Sequence, residues 1–203
     1  ALTGATAMGF ASSQDLVEGL LHNRGLFYLL LGVELLMVWT FSTLAARASA
    51  LVAGSMFLGY SLLNGVTLSV IFLVYTKSSI VSTFFITAGT FAGMSAYGAL
   101  TKRSLDGWSN FLFMGLWGVV LASLVNLFLQ SDMMQWVLSC AGVVVFTGLT
   151  AYDTQKIKEL NIIGNEGSDE DSREAINGAL ILYLDFINLF LDLLRIFGGG
   201  SRK

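Results

Sequence analysis

The stretch LILYLDFINLFLDLLRIFGG, residues 180–199, is as apolar as a lipid bilayer and yet contains charged side chains. Its polar members are Asp185, Asn188, Asp192 and Arg195. The first three are spaced i, i+3 and i+7, so they share one face of a helix. Arg195 follows Asp192 by one helical turn and can reach back to it as an ion pair. An ionisable group at bilayer depth costs roughly 2.5–3.5 kcal/mol on insertion scales, so this face is predicted to meet a protein partner or enclosed water.

The whole chain has the composition of a membrane protein. Of its 203 residues, 55% are hydrophobic and 12% are charged, and the mean hydropathy is +0.72. A soluble domain usually carries about 25% charged residues. The apolar runs are each long enough to cross about 30 Å of hydrocarbon at about 1.5 Å per residue. They lie at about 25–45, 50–75, 79–100, 110–129, 134–155 and 176–197.

These runs predict an all-α polytopic membrane protein, because lipid leaves helices as the only way to satisfy the backbone over such lengths. The short apolar segment 1–11 is interpreted as the end of a first span whose beginning is missing, which gives seven transmembrane helices. Residues 1–203 are expected to form a single transmembrane domain. Within it, residues 156–175 are expected to form an acidic cytoplasmic loop and residues 198–203 a tail.

The distribution of charge predicts an orientation and excludes one class of partner. The side that contains the 156–175 loop carries more lysine and arginine, as cytoplasmic loops do. The N-terminus is therefore expected in the cytoplasm and the C-terminus on the opposite side. The net charge of −3 and the lack of a basic patch with interleaved aromatic residues argue against nucleic acid as a partner.

Small residues recur at helix-packing spacing, as in Gly89-x-x-x-Gly93. We interpret this spacing as close contact between helices of one chain, with homodimerisation as the alternative.

Further polar side chains inside the predicted spans are candidates for an ion path. Glu34 lies mid-span, where it could line a pore as a cation ligand or, when protonated, hydrogen-bond another helix. Asp192 could line the same path or simply form a local ion pair with Arg195. The complete set of ion-path candidates is Glu34, Asn64, Asn126, Asn188 and Asp192.

Asp153 and Asp185 are predicted to face each other. Asp153 lies near the end of the sixth span, and Asp185 enters on the antiparallel next helix from the same side, so their depths can match. Low dielectric and like-charge repulsion would make such a pair share one proton. The pair is either a permanent structural contact or a proton-controlled gate that can bind a hard cation such as Ca²⁺. Arg47, at the end of the second span, could latch an ionised Asp153 or be an ordinary loop arginine.

LTAYDTQKIK, residues 149–158, and GALILYLDFINLFLDLLRIFG, residues 178–198, closely resemble the bacterial branch of the transmembrane Bax inhibitor motif family. The similarity extends through GVTLSVIFLVYT, TAGTFAGMSAYG, TKRSLDGW and GVVLASLVNLFL. The resemblance implies a seven-helix bundle in the bacterial inner membrane with the last helix central and the C-terminus in the periplasm. It also implies a pH-dependent calcium leak whose proton sensor matches Asp153 and Asp185. Arg47 is the nearest match to the family's arginine latch, although its context, AARAS, lacks a basic cluster.

The sequence therefore predicts a pH-dependent calcium leak channel that is not an enzyme, uses no cofactor, and has lipid, Ca²⁺ and H⁺ as partners. A non-conducting regulator or partner of a membrane-bound protease is the alternative, since bacterial relatives are linked to such proteases. An intramembrane aspartyl protease is disfavoured, because Asp185 lies in YLDF without the glycine-x-glycine-aspartate context of those enzymes. His22 is the single histidine, which excludes a histidine-paired nucleophile and a histidine-cluster metal site.

Overall fold

The structure, a computed structural model, describes residues 1–13, 17, 19, 22–44, 49–162 and 169–199. Within these residues the chain is built of helices, so the predicted all-α fold class is confirmed there. The helices are α1 Leu2–Ala11, α2 Arg24–Leu44, α3 Ala50–Leu68, α4 Ile71–Val74, α5 Lys77–Leu100, α6 Asp106–Leu129, α7 Asp132–Ile162 and α8 Asp169–Phe197.

Polar residues rather than prolines mark the helix ends, because the chain contains no proline. The Ser49 side chain caps α3 by accepting a hydrogen bond from the Val52 N–H at 3.4 Å. The predicted run 50–75 is interrupted after Leu68. There the Ser69 hydroxyl donates to the Val66 carbonyl at 2.6 Å, and α4 adds one further turn.

Four helical segments among the described residues are long and apolar enough to cross a membrane. They are Ala50–Val74, Lys77–Leu100, Asp106–Leu129 and Asp132–Leu160, and a shorter apolar helix covers Leu29–Phe41. Large apolar side chains point outward from these segments, with Phe128 89% exposed and Leu51 83% exposed. Such surfaces suit lipid as the surrounding solvent. The protein is thus a membrane protein with several spans, and the count of seven stays a prediction.

The chain forms two compact units, and α8 contributes to both. Unit one contains α1 to α4 and residues 169–177 of α8. Here α1 and α2 both pack against α3. Gly65 permits the approach of α1, because a Cβ at this position would lie 2.7 Å from the Thr3 carbonyl oxygen.

Unit two contains α5, α6, α7 and residues 178–199 of α8. Helix α7 packs against both α5 and α6. The Phe186 ring of α8 contacts the rings of Phe84 and Phe91 on α5, with centroid distances of 5.7 and 5.4 Å. An apolar cluster joins α6, α7 and α8 and consists of Leu112, Val145, Phe146, Leu149, Leu189 and Leu193. Within unit two the last helix therefore touches all three of the others, while its central place among seven stays a prediction.

Two expectations from the sequence are wrong. The interval 156–175 is not a loop throughout, since α7 continues to Ile162 and α8 begins at Asp169. Residues 163–168 between them lie outside the described part. The second correction concerns Gly89 and Gly93, which are exposed, and a Cβ added to either would meet nothing within 4 Å. Within the described part of the chain their spacing therefore does not mark a contact between helices, because spacing alone does not tell which face of a helix is packed.

The close approach of α5 and α7 predicts that Gly98→Ala destabilises unit two. An added Cβ would lie 2.9 Å from the Ala151 carbonyl carbon and even closer to its oxygen, and backbone cannot move aside cheaply. Overpacking of this kind costs about 1–3 kcal/mol. Gly93→Ala is the matched control in the same helix and should be neutral or slightly stabilising, because its Cβ enters open space. Denaturant unfolding in detergent micelles would test this, and equal stabilities of the two variants would contradict it.

Candidate functional site

The structure brings the two predicted sensor residues into contact. The carboxyl groups of Asp153 on α7 and Asp185 on α8 lie next to each other. Asp185 is only 5% exposed, and its Oδ2 atom has no hydrogen-bond partner among the described residues. An ionised carboxylate has no donor, so two carboxyl groups bond directly only when one of them carries a proton. The closeness of the two carboxyl groups suits a shared proton, and both the proton and the role as a sensor stay predictions.

Glycines allow α7 and α8 to come close on both sides of this aspartate pair. A Cβ at Gly178 would lie 3.0 Å from Ile157 Cγ1, which is tighter than ordinary packing. At the other end, a Cβ at Gly142 would collide with the Asp192 carboxylate. The antiparallel helices α7 and α8 thus approach closely at two points, and the aspartate pair lies between these two points along the helices.

We call one end of unit two the far end; it contains Ser139, Asp192 and Arg195. The opposite end, which contains Asp153, is called the sensor end. Asp192 is 5% exposed and accepts a hydrogen bond from Arg195 Nη1 at 3.1 Å, so the predicted local ion pair is present. The Ser139 hydroxyl lies beside the Asp192 carboxylate. Ser139 is fully buried.

An apolar layer separates the two acidic positions of unit two. Asp185 and Asp192 lie two turns apart on one face of α8, about 10 Å along the axis. Leu189 lies between them and is fully buried, as part of the apolar cluster with Phe146 and Leu193.

Glu34 is buried in unit one among neutral partners. It is 7% exposed, and its carboxyl oxygens contact the Thr67 hydroxyl at 2.5 Å and the Asn64 Nδ2 atom at 3.3 Å. Both predicted ion-path residues of this unit, Glu34 and Asn64, are thus brought together. Neither neighbour supplies a positive charge, so the arrangement suits a protonated acid or a carboxylate that meets a cation.

Two asparagines among the ion-path candidates make structural contacts. Asn126 holds the α6–α7 turn through its side-chain amide. Its Nδ2 donates to the Ser131 carbonyl and to Gln135 Oε1, and its Oδ1 accepts from the Ser131 N–H. Asn188 donates from Nδ2 to the Leu184 carbonyl of its own helix at 2.9 Å. Their participation in an ion path stays a prediction. Arg47 lies outside the described residues.

Sequence reasoning missed a buried glutamine next to the sensor. Gln155 is 6% exposed; its Nε2 donates to the Arg103 carbonyl at 2.9 Å, and its Oε1 accepts from the Leu105 N–H at 2.7 Å. We call this pair of hydrogen bonds the Gln155 clamp. Because both partners are backbone groups some fifty positions earlier in the chain, no side-chain pattern could have indicated it.

Two lysines extend the attachment of the sensor end of α7. Lys156 forms an ion pair with Asp106 at 2.6 Å, at the start of α6. Lys158 donates to the Ala99 carbonyl at 2.6 Å, near the end of α5. The helix that carries Asp153 is therefore fastened to the connection between α5 and α6.

Comparison with known proteins identifies relatives over nearly the whole chain. The family described as "Inhibitor of apoptosis-promoting Bax1" matches residues 1–202. The inner membrane protein YbhL of Escherichia coli strain K12 is 50% identical over 204 residues, which cover 97% of this chain and 85% of that protein. An uncharacterized protein of Borreliella burgdorferi is 43% identical over 97% of this chain and 85% of its own length. An uncharacterized membrane protein of Streptococcus pyogenes serotype M1 is 43% identical over 91% and 80%.

The Gln155 clamp predicts that Gln155→Leu loosens the α5–α6 connection. The change leaves the Arg103 carbonyl and the Leu105 N–H without their partner, and an unsatisfied buried polar group costs about 1–3 kcal/mol. Hydrogen exchange at the Leu105 amide should become faster. Gln130→Leu serves as the control, since Gln130 lies at the far end of α6. Unchanged exchange at Leu105 in the Gln155 variant would refute the clamp.

Proposed function

This chain belongs to the family of inhibitors of apoptosis-promoting Bax1, and we propose that it is a pH-dependent calcium leak channel of the bacterial inner membrane. The observation that carries the proposal is the contact between Asp153 and Asp185, two carboxyl groups on neighbouring helices. The name of the Escherichia coli relative supports the inner membrane as its location. Seven transmembrane helices with the last one central belong to the same proposal.

The proposed gate is the shared proton. While one carboxyl is protonated, Asp153 and Asp185 bond each other and neither is free to pair with a cation. When the proton leaves, two negative charges remain in a medium of low dielectric, and they repel. An arginine then becomes the natural partner of Asp153, and Arg47 is the residue that the family resemblance suggests for this latch. In this mechanism the latched state is closed, and acid releases it.

The side chains supply the oxygen ligands that calcium prefers, but the described residues do not form a fixed calcium site. Hard divalent cations take oxygen ligands, and the spans supply carboxylates and amides. Among the described residues no three His, Cys, Asp or Glu side chains come together to hold a metal ion. A calcium ion would therefore keep part of its water shell and pass, as a leak requires. The proposal assigns the protein no catalytic reaction and no cofactor.

The proposal predicts that Asp185→Asn and Asp153→Asn abolish the pH dependence of calcium entry into reconstituted vesicles. In the unchanged protein, entry should increase as the pH falls, because protonation removes the latch. Titration of one site from about nine tenths to one tenth occupancy takes about two pH units, so the change should be complete over that interval. An asparagine binds no proton in this range, and entry should become flat with pH.

Asp132→Asn is the matched control, since it removes an exposed carboxylate from the first turn of the same helix as Asp153. It should leave the pH dependence intact. Unchanged pH dependence in both sensor variants would refute the gate. No calcium entry with the unchanged protein would refute the channel and favour a regulator of a membrane-bound protease.

A further inference from the structure

We propose that the connection between α5 and α6, residues 101–105, is a binding site for an anionic phospholipid. The headgroup phosphate would bind the side chains of Lys102 and Arg103, and the acyl chains would lie against the outward rings of α6 that begin with Trp108. The site lies in unit two and goes beyond the proposed leak function, since it requires no ion conduction.

The connection lies where two apolar helices leave the membrane. Both α5 and α6 are long and apolar enough to span it, and the first ends at Leu100 while the second begins at Asp106. Lipid headgroups occupy this level of a bilayer, and a lysine or arginine next to a span attracts those that are negative. A binding site needs more than this position: its cations must be free and fixed, and apolar contacts must lie below them.

The first support is that two cations of the connection have no protein partner. The side chains of Lys102 and Arg103 are exposed and form no ion pair or hydrogen bond with the described residues. Two acids of the same surface are already engaged, because Asp106 and Glu159 both pair with Lys156 Nζ, at 2.6 and 2.9 Å. The connection therefore presents two adjacent, uncompensated positive charges at the edge of the membrane.

The second support is that the backbone of the connection is fixed. The Gln155 clamp holds the Arg103 carbonyl and the Leu105 N–H. The Arg103 N–H donates to the Thr101 hydroxyl at 3.3 Å, and the Thr101 N–H donates to the Tyr97 carbonyl at 2.9 Å. Binding a phosphate therefore orders only the two basic side chains and not the loop, which lowers the entropic cost of binding.

The third support is a group of exposed apolar side chains directly below the two cations. Trp108 lies in the first turn of α6 and is 61% exposed. The exposed ring of Phe111 meets it edge to face, with the centroids 6.4 Å apart. Leu100, the last residue of α5, is also exposed. Tryptophan is typical of the headgroup level, so a lipid whose phosphate meets the cations can place its chains on these side chains.

This combination favours a phospholipid over a free phosphate ion. Exposed ion pairs are weak in water, so two surface cations bind a small soluble anion poorly. A lipid is confined to the membrane, where its phosphate meets the two cations at a high effective concentration. Its chains also gain contacts with Trp108 that a free phosphate cannot make.

Quenching of Trp108 by brominated lipids tests the site. Trp39, Trp117 and Trp136 are replaced by phenylalanine, so that Trp108 is the only tryptophan left in the full chain. The protein is placed in mixed vesicles of phosphatidylglycerol and phosphatidylcholine, with bromine on the acyl chains of one lipid or the other. Quenching should show a preference of Trp108 for phosphatidylglycerol.

Substitutions in the connection assign that preference to the two cations. Each basic residue next to an anionic surface contributes about a fivefold increase in affinity. Lys102→Gln and Arg103→Gln should therefore each lower the relative affinity for phosphatidylglycerol about fivefold, and the double variant should lose the preference. Exchanging the two residues, Lys102→Arg with Arg103→Lys, keeps both charges and should keep the preference.

Two controls separate a site from a general attraction of negative lipid. Lys77→Gln removes an exposed cation from the opposite end of α5 and should leave the preference of Trp108 unchanged. A chain in which Trp117 is the only tryptophan reports on exposed α6 surface about 14 Å further along the helix. There the two brominated lipids should quench equally.

The inference is overturned if the two lipids quench Trp108 equally, if the preference survives in the double glutamine variant, or if Trp117 shows the same preference. Inorganic phosphate, compared with chloride at equal ionic strength, should not displace the lipid. Displacement would identify a free anion as the ligand and overturn the assignment to lipid. Because the assay involves no calcium, loss of the proposed leak function and loss of the lipid site are separate results.

Discussion

A carboxyl group inside a membrane has no bulk water to solvate it, and this chain places acidic side chains within helices that are otherwise apolar. Each of them depends on a different partner. Glu34 contacts the neutral groups of Thr67 and Asn64, and Asp153 and Asp185 contact each other. Asp192 contacts the guanidinium of Arg195. Because an unpaired charge in lipid is so costly, these partnerships dictate which helix faces meet and leave little freedom in the packing.

Lipid also removes the hydrophobic drive between helices, so close contact has to come from shape. In unit two that shape comes from glycines on the face of contact. Gly98 lets α5 approach the backbone of α7, and Gly142 and Gly178 let α7 and α8 meet on either side of the aspartate pair. The acidic contact therefore depends on residues that carry no chemistry themselves.

The sequence was sufficient to predict features that repeat along a helix and contacts between side chains at comparable depth in the membrane. The apolar runs predicted the helices, and antiparallel geometry predicted the meeting of Asp153 and Asp185. It failed where the partner is backbone or where only three-dimensional packing selects a face. The Gln155 clamp binds two main-chain groups, and Gly142 matters only because Asp192 lies against it. Gly89 and Gly93 have the right spacing for a contact but lie on an exposed face.

The attachments of the two acidic helices are unequal, and this bears on how the proposed gate would move. Helix α7 is held at the sensor end by the Gln155 clamp and the Lys156–Asp106 pair, and its first turn is tied to Asn126 of α6. In unit two, α8 contacts α7 through the aspartate pair and packs on α6 and α7 through the apolar cluster, and just beyond its end the Gly199 N–H donates to the Ser79 hydroxyl. Apolar contacts have no fixed direction and tolerate sliding better than directed hydrogen bonds do. If the carboxylates repel when the shared proton leaves, as we propose, we expect α8 to yield rather than α7, because directed hydrogen bonds hold the sensor end of α7.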